Sequence, residues 1–523
     1  MRRALLSSIP SEWAGRSVPP HVPAPVGGWN TRDSLADMPV TDAYILDNWF
    51  PRGSFLQARG GSASWATGMS GTVQTIFSYT PRTGSAKLFG VTNAGIYDIT
   101  VTGPVGAIAR TLTNGLWNTI NFTNSAGSSY SWGCNGTDSP YYFDGATWTA
   151  PTITGVTAAN LIFPWAFKHR IFAIEKGTMN AWFLPVDSIQ GAASQLPLGN
   201  LFKRGGYLVS GTNWTLDAGD GPDDLCVFIT SEGEIAVYAG TDPASADSFG
   251  LVGVYYVGRP LGNRCFVKLG GDVVVLVESG FYQLSKLLKG GSVNFSTALT
   301  RKIQPSVTQQ VKYNFTGTTW TGIVYPQFDA LITNIPQSSG MSNIQYAMNT
   351  VTGSWGSFSG WNAQCFEVFI GVLYFGAPGG IVYKAWDGTI PSDSGADISS
   401  LVAQAYNYFG SGSRLKKITA FRPLLSYDGT VEIRTGILAD FQQFVNPSSI
   451  TPRSSSSPGS PWDTSPWDTS PWSVGQQLYK YWRGASHAPG FALSTVMQAL
   501  SNNSATLQWA GTDYVLEGGR GIL

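Results

Sequence analysis

Along most of this chain, short apolar stretches alternate with small polar turns, and the stretches come in pairs. Each pair is an apolar run, a turn, then a second run carrying an aromatic. The pattern reads Leu88-Phe89-Gly90-Val91, then Ile96-Tyr97; it returns as Trp132-Gly133-Cys134 with Tyr141-Tyr142-Phe143, and as Ile171 to Ile174 with Ala181-Trp182-Phe183. Leu225 to Ile229 with Ile235 to Tyr238, Val273 to Val277 with Phe281-Tyr282, Ala330 to Ile332 with Gln345-Tyr346, and Val372 to Phe375 with Ile381-Val382-Tyr383 continue it. Runs this short, rich in β-branched and aromatic residues and bounded by Gly, Asn and Asp, predict β-hairpins and not helices.

The spacing adds a second level. From Tyr97 to Tyr383 the second-strand markers make six intervals averaging about 48 residues, inside the roughly 40 to 50 usual for one four-stranded propeller blade. The expected fold is therefore all-β, with a β-propeller of about seven blades over residues 61–398. Two runs support blades: Tyr142-Phe143-Asp144-Gly145-Ala146-Thr147-Trp148, and Tyr346 to Trp355. In both, an aromatic strand ends in Asp or Asn, Gly turns the chain, and Trp opens the next strand, which is hairpin chemistry. The first is similar to the Asp-box of sialidase propellers, but its spacing at Asp144 is wrong for one.

Outside the repeat, residues 1–60 carry Pro19, Pro20, Pro23 and Pro25 and read as an extended N-terminal arm leading into the first strands. Residues 399–523 alternate again, at Leu401 to Tyr408, Leu415 to Phe421, Thr430 to Arg434, Gly490 to Ala499, Ala505 to Trp509 and Tyr514 to Leu516. They predict a C-terminal β-sandwich-like domain. A Pro/Trp-rich insertion at 452–474 interrupts it, with Ser-Pro-Trp-Asp-Thr repeated at a five-residue period. Proline blocks ladder pairing, so this is a loop that displays Trp462, Trp467 and Trp472, the candidate partner-docking residues.

Composition agrees with an all-β chain: 62 Gly, 30 Pro and 13% aromatic residues among 523. Lys plus Arg and Asp plus Glu are both 32. A protein that grips nucleic acid through phosphates normally carries a basic excess, and a near-neutral one suits permanent assembly. Cys134, Cys226, Cys265 and Cys365 form no C-x-x-C pair and the chain has three His, so buried reduced thiols are expected and not a zinc site. The apolar run after Met1-Arg2-Arg3 is cut short by Pro10, Ser11 and Glu12, too short for a signal peptide. No stretch is long enough to span a bilayer as a helix, and no stable membrane insertion is expected.

No phosphate loop, Rossmann fingerprint, His-Glu-x-x-His or Gly-x-Ser-x-Gly element is present. Lys289-Gly290-Gly291-Ser292 places its lysine before the glycines, where it could not reach a phosphate. His169 opens a strand and reads as structural or surface; His21 and His487 sit among Pro and Gly without an evident partner in the sequence. The loop Asp217 to Asp224 holds four carboxylates. Its spacing is not that of an EF-hand, so a solvated turn is the simpler reading and a calcium site the sharper one. Paired carboxylates for glycoside cleavage would have to be assembled across blades. The expectation is a protein without catalytic residues, metal or cofactor.

One set of segments points to a family. Gly27-Gly28-Trp29-Asn30-Thr31-Arg32-Asp33, Met38-Pro39, Ala43-Tyr44, Leu46-Asp47-Asn48-Trp49-Phe50-Pro51 and Gln57-Ala58-Arg59-Gly60-Gly61 together resemble the N-terminal signature of short-tailed bacteriophage tail nozzle proteins, also called tail tubular protein B. Asp220 to Asp224, Thr230 to Glu234, Tyr238 to Pro243, Gly258 to Gly262 and Gly270 to Asp272 look like the same kind of protein. The likeness covers about residues 27 to 300. It implies a hexamer that continues the tail channel below an adaptor, or gatekeeper, ring, holds tail fibres or spikes outside, and passes genomic DNA through its lumen at ejection. It also implies a virion location, the tail, for a protein made in the host cytoplasm. Two rivals remain. A glycan-binding tail spike or adhesin would use Trp462, Trp467 and Trp472 as stacking platforms, where docking to a partner subunit is the other use of such aromatics. A propeller glycoside hydrolase would need convergent acids in an axial cleft. Sequons such as Asn121-Phe122-Thr123 and Asn135-Gly136-Thr137 arise readily in Asn- and Thr-rich turns and carry no weight here.

Overall fold

The computed structural model describes residues 20–217, 222–245, 247–289, 295–317, 319–429, 431–442, 477–479, 481–485, 487–501 and 506–521. These fall into two compact units: residues 59–396, and a second built from 1–58 together with 397–523. The candidate docking residues Trp462, Trp467 and Trp472 lie outside the described residues.

In the 59–396 unit the hairpins expected from the alternation are present, each at the centre of a small antiparallel sheet. The sheets follow one another in sequence. The first is Thr75–Tyr79, Lys87–Thr92, Gly95–Asp98 and Arg110–Thr111; the second is Asn118–Thr123, Ser129–Cys134, Tyr141–Phe143 and Trp148–Thr149. The third is Leu161–Phe167, Arg170–Glu175, Asn180–Phe183 and Ser194–Pro197, and the fourth Leu208–Asp217, Pro222–Thr230, Glu234–Gly240 and Phe249–Tyr256. The fifth has three strands, Phe266–Leu269, Asp272–Val277 and Gly280–Gln283. A helix, Gln304–Asn314, follows it and buries Val307 and Val311. Thr321–Tyr325, Ala330–Ile335, Ile344–Asn349 and Trp355–Phe358 pair in turn as the sixth set.

The last sheet joins the two ends of the unit. Cys365–Phe369, Val372–Ala377 and Ile381–Ala385 form a meander, and its fourth antiparallel strand is Ser62–Thr67, from the beginning of the unit. A buried ion pair stands beside this seam. Arg59, with a side chain only 1% exposed, meets Asp393 through Nη2–Oδ2 at 2.6 Å and Nη1–Oδ1 at 3.1 Å. Ser62 Oγ and Trp361 Nε1 donate to the same carboxylate, and the guanidinium lies 4.9 Å from the Trp361 ring centroid. Gly60 and Gly61 have no alternative residue: a Cβ would fall 2.7 Å from Trp386 and 2.0 Å from the Ser392 carbonyl oxygen.

Aromatic layers fill the spaces between successive sheets. Phe77 and Phe89 of the first sheet stack at 5.3 Å, and Phe89 meets Phe143 of the second at 5.1 Å and Trp148 at 5.3 Å. Trp165 of the third packs edge-on to Phe228 of the fourth at 5.5 Å. The turn chemistry is as the sequence implies. Asp144 Oδ1 accepts the amides of Ala146 and Thr147, Asn349 Oδ1 those of Val351 and Thr352, and Gly145 and Gly353 take positive φ.

The second unit departs from the expected arm. From residue 20 its N-terminal segment is paired into the sheets: His21–Pro23 lies against Gln508–Gly521, Asp42–Asp47 against Ile398–Gln404, and Leu56–Ala58 against Gln508–Trp509. Prolines 23 and 25 are accommodated because they sit at a strand end and in the turn beyond it. Two sheets share a core that includes Leu46, Trp49, Leu425, Met497 and Trp509. Asn48 carries the chain from one sheet to the other. It adopts φ 58°, which Asn tolerates better than most residues, and its Nδ2 donates to the Ser399 carbonyl at 2.9 Å.

Removing one partner of a buried ion pair strands the other charge, at about 3–5 kcal/mol. Arg59→Met should therefore lower the unfolding free energy by roughly that amount, read by denaturant titration. The double variant Arg59→Met with Asp393→Leu should recover most of the loss; no recovery would mean that the closure depends on strand pairing alone.

Candidate functional site

The opening strands of six of these strand sets contribute to one cavity of about 360 Å³. Thr75 to Ser78, Trp117 to Thr119, Asn121, Phe163-Pro164, Phe266, Thr321 and Cys365 to Glu367 line it, and Arg264 reaches into it. Two charged side chains dominate.

Arg264 lies two residues ahead of the fifth sheet and bonds to the first and second. Its Nη2 donates to Thr75 Oγ1 at 2.6 Å and to the Trp117 carbonyl at 3.0 Å, Nη1 to the Gln74 carbonyl at 3.1 Å, and Nε to Asn118 Oδ1 at 3.1 Å. All four partners are neutral, and burial pushes the guanidinium pKa down. The residue is a strut across the cavity. Its fork geometry satisfies backbone and side-chain acceptors on two sheets at once, which a lysine could not do.

Glu367 interrupts the apolar strand Cys365–Phe369. Its Oε1 accepts both the Ser78 amide at 3.1 Å and the Ser78 hydroxyl at 2.6 Å. Burial raises its pKa to about 7, against which the two Ser78 hydrogen bonds act. In the same lining, Phe163 holds φ 45° in a bulge between Ile162 and Trp165. A bulky non-glycine residue in the left-handed region is strained, and such residues concentrate at functional sites.

The residues singled out from sequence are scattered. Asp224 accepts from Thr215 Oγ1 at 2.9 Å and pairs with Lys168 at 3.1 Å; residues 218–221 of the acidic loop lie outside the described residues. Among the described residues no cluster of three His, Cys, Asp or Glu could hold a metal ion. The three histidines are far apart in their roles. His169 closes a tight turn with Lys168, both at positive φ, and sits 3.5 Å from Asp187. His21 and His487 do have partners: His21 meets Asp513 at 2.8 Å, and His487 Nε2 accepts the Ile418 amide at 3.1 Å. Cys134, Cys226, Cys265 and Cys365 are all buried and unpaired, and burial pushes the thiols of Cys265 and Cys365 up to about 12.

Sequence reasoning missed both charged residues of the cavity. Glu367 left a signal, a carboxylate on a half-apolar strand where alternation alone would place it at the solvent face. Arg264 left none, because its partners are about 150 to 190 positions away.

The pH dependence follows from Glu367. Its folded pKa lies above the ordinary 4.5, so the folded state holds the proton longer than the unfolded chain. That contribution to stability is complete below pH about 4.5 and is lost as pH rises to about 7. Relative to Glu367→Gln, the wild type should lose up to about 3 kcal/mol over this window, measured as paired unfolding titrations. Parallel curves for the two proteins would place the carboxylate in a water-like setting.

No family model matches the chain, and no curated protein does. Solved structures similar to it include the computationally designed Ika8 protein, 10% identical with a TM-score of 0.34, covering 62% of this chain and 99% of that one. BBS1N in complex with ARL6DN is another, at 10% identity and a TM-score of 0.28, covering 44% of this chain and 73% of that one.

Proposed function

We propose that the chain is a structural component of a short-tailed phage tail, a nozzle subunit that helps to form the distal DNA channel and docks tail fibres. In this reading the 59–396 unit is a seven-bladed β-propeller. The opening strand of each sheet lies against that of the next, and Cys365–Phe369 returns to lie against Thr75–Tyr79. The 1–58 and 397–523 unit is a β-sandwich.

The observation that carries the functional reading is the use made of the residues behind the family resemblance. They are consumed in buried junctions. Asn30, fully buried, donates to Asp33 and Asp42 at 2.8 Å each and accepts the Arg32 and Asp33 amides. A Cβ on Gly27 would fall 2.0 Å from Asp42 Oδ1. Trp29 donates to the Tyr44 carbonyl, Asn48 turns the chain between sheets, and Arg59 holds Asp393. Glu234 accepts the amides of Lys203 and Arg204, and Asp272 holds Ser285 in the first turn of a short helix. None of these lines the cavity. Residues spent on architecture in this way suit a part whose work is mechanical.

Where DNA would run is constrained by size. A cavity of 360 Å³ crossed by Arg264 is far below the volume of one turn of a duplex whose major groove alone is about 12 Å wide. The lumen in this reading is a space enclosed by several copies, as the hexamer implied by the resemblance requires. Equal numbers of acidic and basic residues favour a surface on which DNA slides, since clustered cations would bind phosphate and hold it. The adaptor ring, the fibres and the tail location come from the same resemblance.

The reading is tested by immunogold electron microscopy on purified particles of the phage that encodes the chain. Gold should decorate the distal end of a short tail. Label on peripheral fibres would favour the adhesin, and absence of the protein from particles would overturn the structural role.

A further inference from the structure

Apart from the nozzle reading, and independent of it, we infer that the cavity between the opening strands is a binding site for one neutral polyhydroxylated molecule of monosaccharide size. The inference rests on three features that packing alone does not require.

The first is an acceptor held in place and left open. Glu367 lines the cavity and uses Oε1 for both Ser78 donors, while Oε2 receives no hydrogen bond from a described residue. Two bonds to one oxygen fix the plane of the carboxylate, so the second oxygen is presented without rotational freedom. The second is a donor arranged in the same way. Asn118 Oδ1 is occupied by Arg264 Nε at 3.1 Å, which fixes the amide and directs Nδ2 away from that bond. The hydroxyls of Thr119 and Thr321 also line the cavity. The third is strain. Phe163 keeps φ 45° in a bulge that continues into Pro164, and both residues, with the part-exposed Phe266, form the aromatic side of the wall.

The chemistry of this lining selects the ligand class. Anions are disfavoured by the open carboxylate oxygen, and organic cations by the guanidinium of Arg264 in the same wall. A divalent metal ion needs several hard ligands, and no group of three acidic or other ligating residues stands here among the described residues. An apolar molecule would strand the carboxylate and the amide without partners. What matches is an array of hydroxyls to satisfy one strong acceptor, one amide donor and two threonines, on a ring whose C–H face lies against phenylalanine. The volume of 360 Å³ is at the small end of ligand pockets, which run to about 300–1,000 Å³. One sugar ring with a few waters fits; an oligosaccharide chain or a peptide does not.

The full chain is titrated with glucose, galactose, N-acetylglucosamine and mannitol, followed by saturation-transfer NMR and by the shift in melting temperature. At least one should bind in the millimolar range or tighter. Glu367→Gln keeps an acceptor for Ser78 but removes the charge, and should weaken that binding about tenfold or more. Phe163→Asn should fold as well as the wild type, since Asn tolerates the left-handed region, and should also bind about tenfold less. If none of the four binds at millimolar concentration, the cavity holds water only and the inference fails. It fails equally if binding occurs and neither variant changes it, because the sugar is then seated elsewhere.

Discussion

A row of small sheets has an edge at each end, and an exposed edge is a template for pairing with other chains. In the 59–396 unit that problem is met by giving the last sheet a strand from the beginning of the unit. Ser62–Thr67 lies beside Ile381–Ala385, and the Arg59–Asp393 pair sits next to the seam. The pairing closes a loop of more than 300 residues, so its entropic cost is large. An ion pair taken out of water contributes little net stability by itself, because desolvation offsets attraction. Its effect here is on geometry. The carboxylate of Asp393 collects Arg59, Ser62 and Trp361 at once, and only one register of Ser62–Thr67 puts Arg59 where all three are satisfied.

Everything between the two ends depends on sheets that cannot bury their faces alone. Each presents aromatics on both sides, and the layer between neighbours is shared. Phe89 belongs to the first sheet, yet two of its ring partners, Phe143 and Trp148, belong to the second. A large aromatic side chain lost from such a layer costs both sheets, which is why 13% of the chain is aromatic while its charge content is low. The fifth sheet shows the tolerance of the scheme. Among the described residues it has three strands, and the helix Gln304–Asn314 buries Val307 and Val311 and offers Ser306 to the Tyr346 hydroxyl of the sixth.

The local parts of this architecture were legible in the sequence because they depend on neighbours. Short apolar runs paired across polar turns placed the inner hairpins, and Asp144-Gly145 and Asn349 with Gly353 marked turns whose hydrogen bonds close within three or four residues. What was not legible depends on distance. Proline content suggested an extended arm ahead of the first strands in 1–60, but His21–Pro23, Asp42–Asp47 and Leu56–Ala58 are strands whose partners lie beyond residue 397. No local pattern specifies a partner some 350 to 490 positions away. The same holds for the cavity: Glu367 and Ser78 are brought together by closure, and Arg264 meets Thr75, Trp117 and Asn118 only because the opening strands converge.

Convergence also separates two kinds of polar residue in the same unit. Asp393, Glu234 and Asp272 are fully engaged, each carboxylate turned to donors from its own surroundings, and such groups stabilise one arrangement without being free to take on anything else. Glu367 is different in one atom. It is buried enough for its pKa to rise to about 7, which costs stability at neutral pH, and yet only one of its oxygens is used by the protein. An apolar side chain of similar volume would avoid the desolvation that raises this pKa, so packing alone does not call for the carboxylate. Strain at Phe163 sets the same problem in the same wall. Architecture accounts for the buried junctions that carry the family resemblance, but it leaves these two costs without a return, and an occupant of the cavity supplies one.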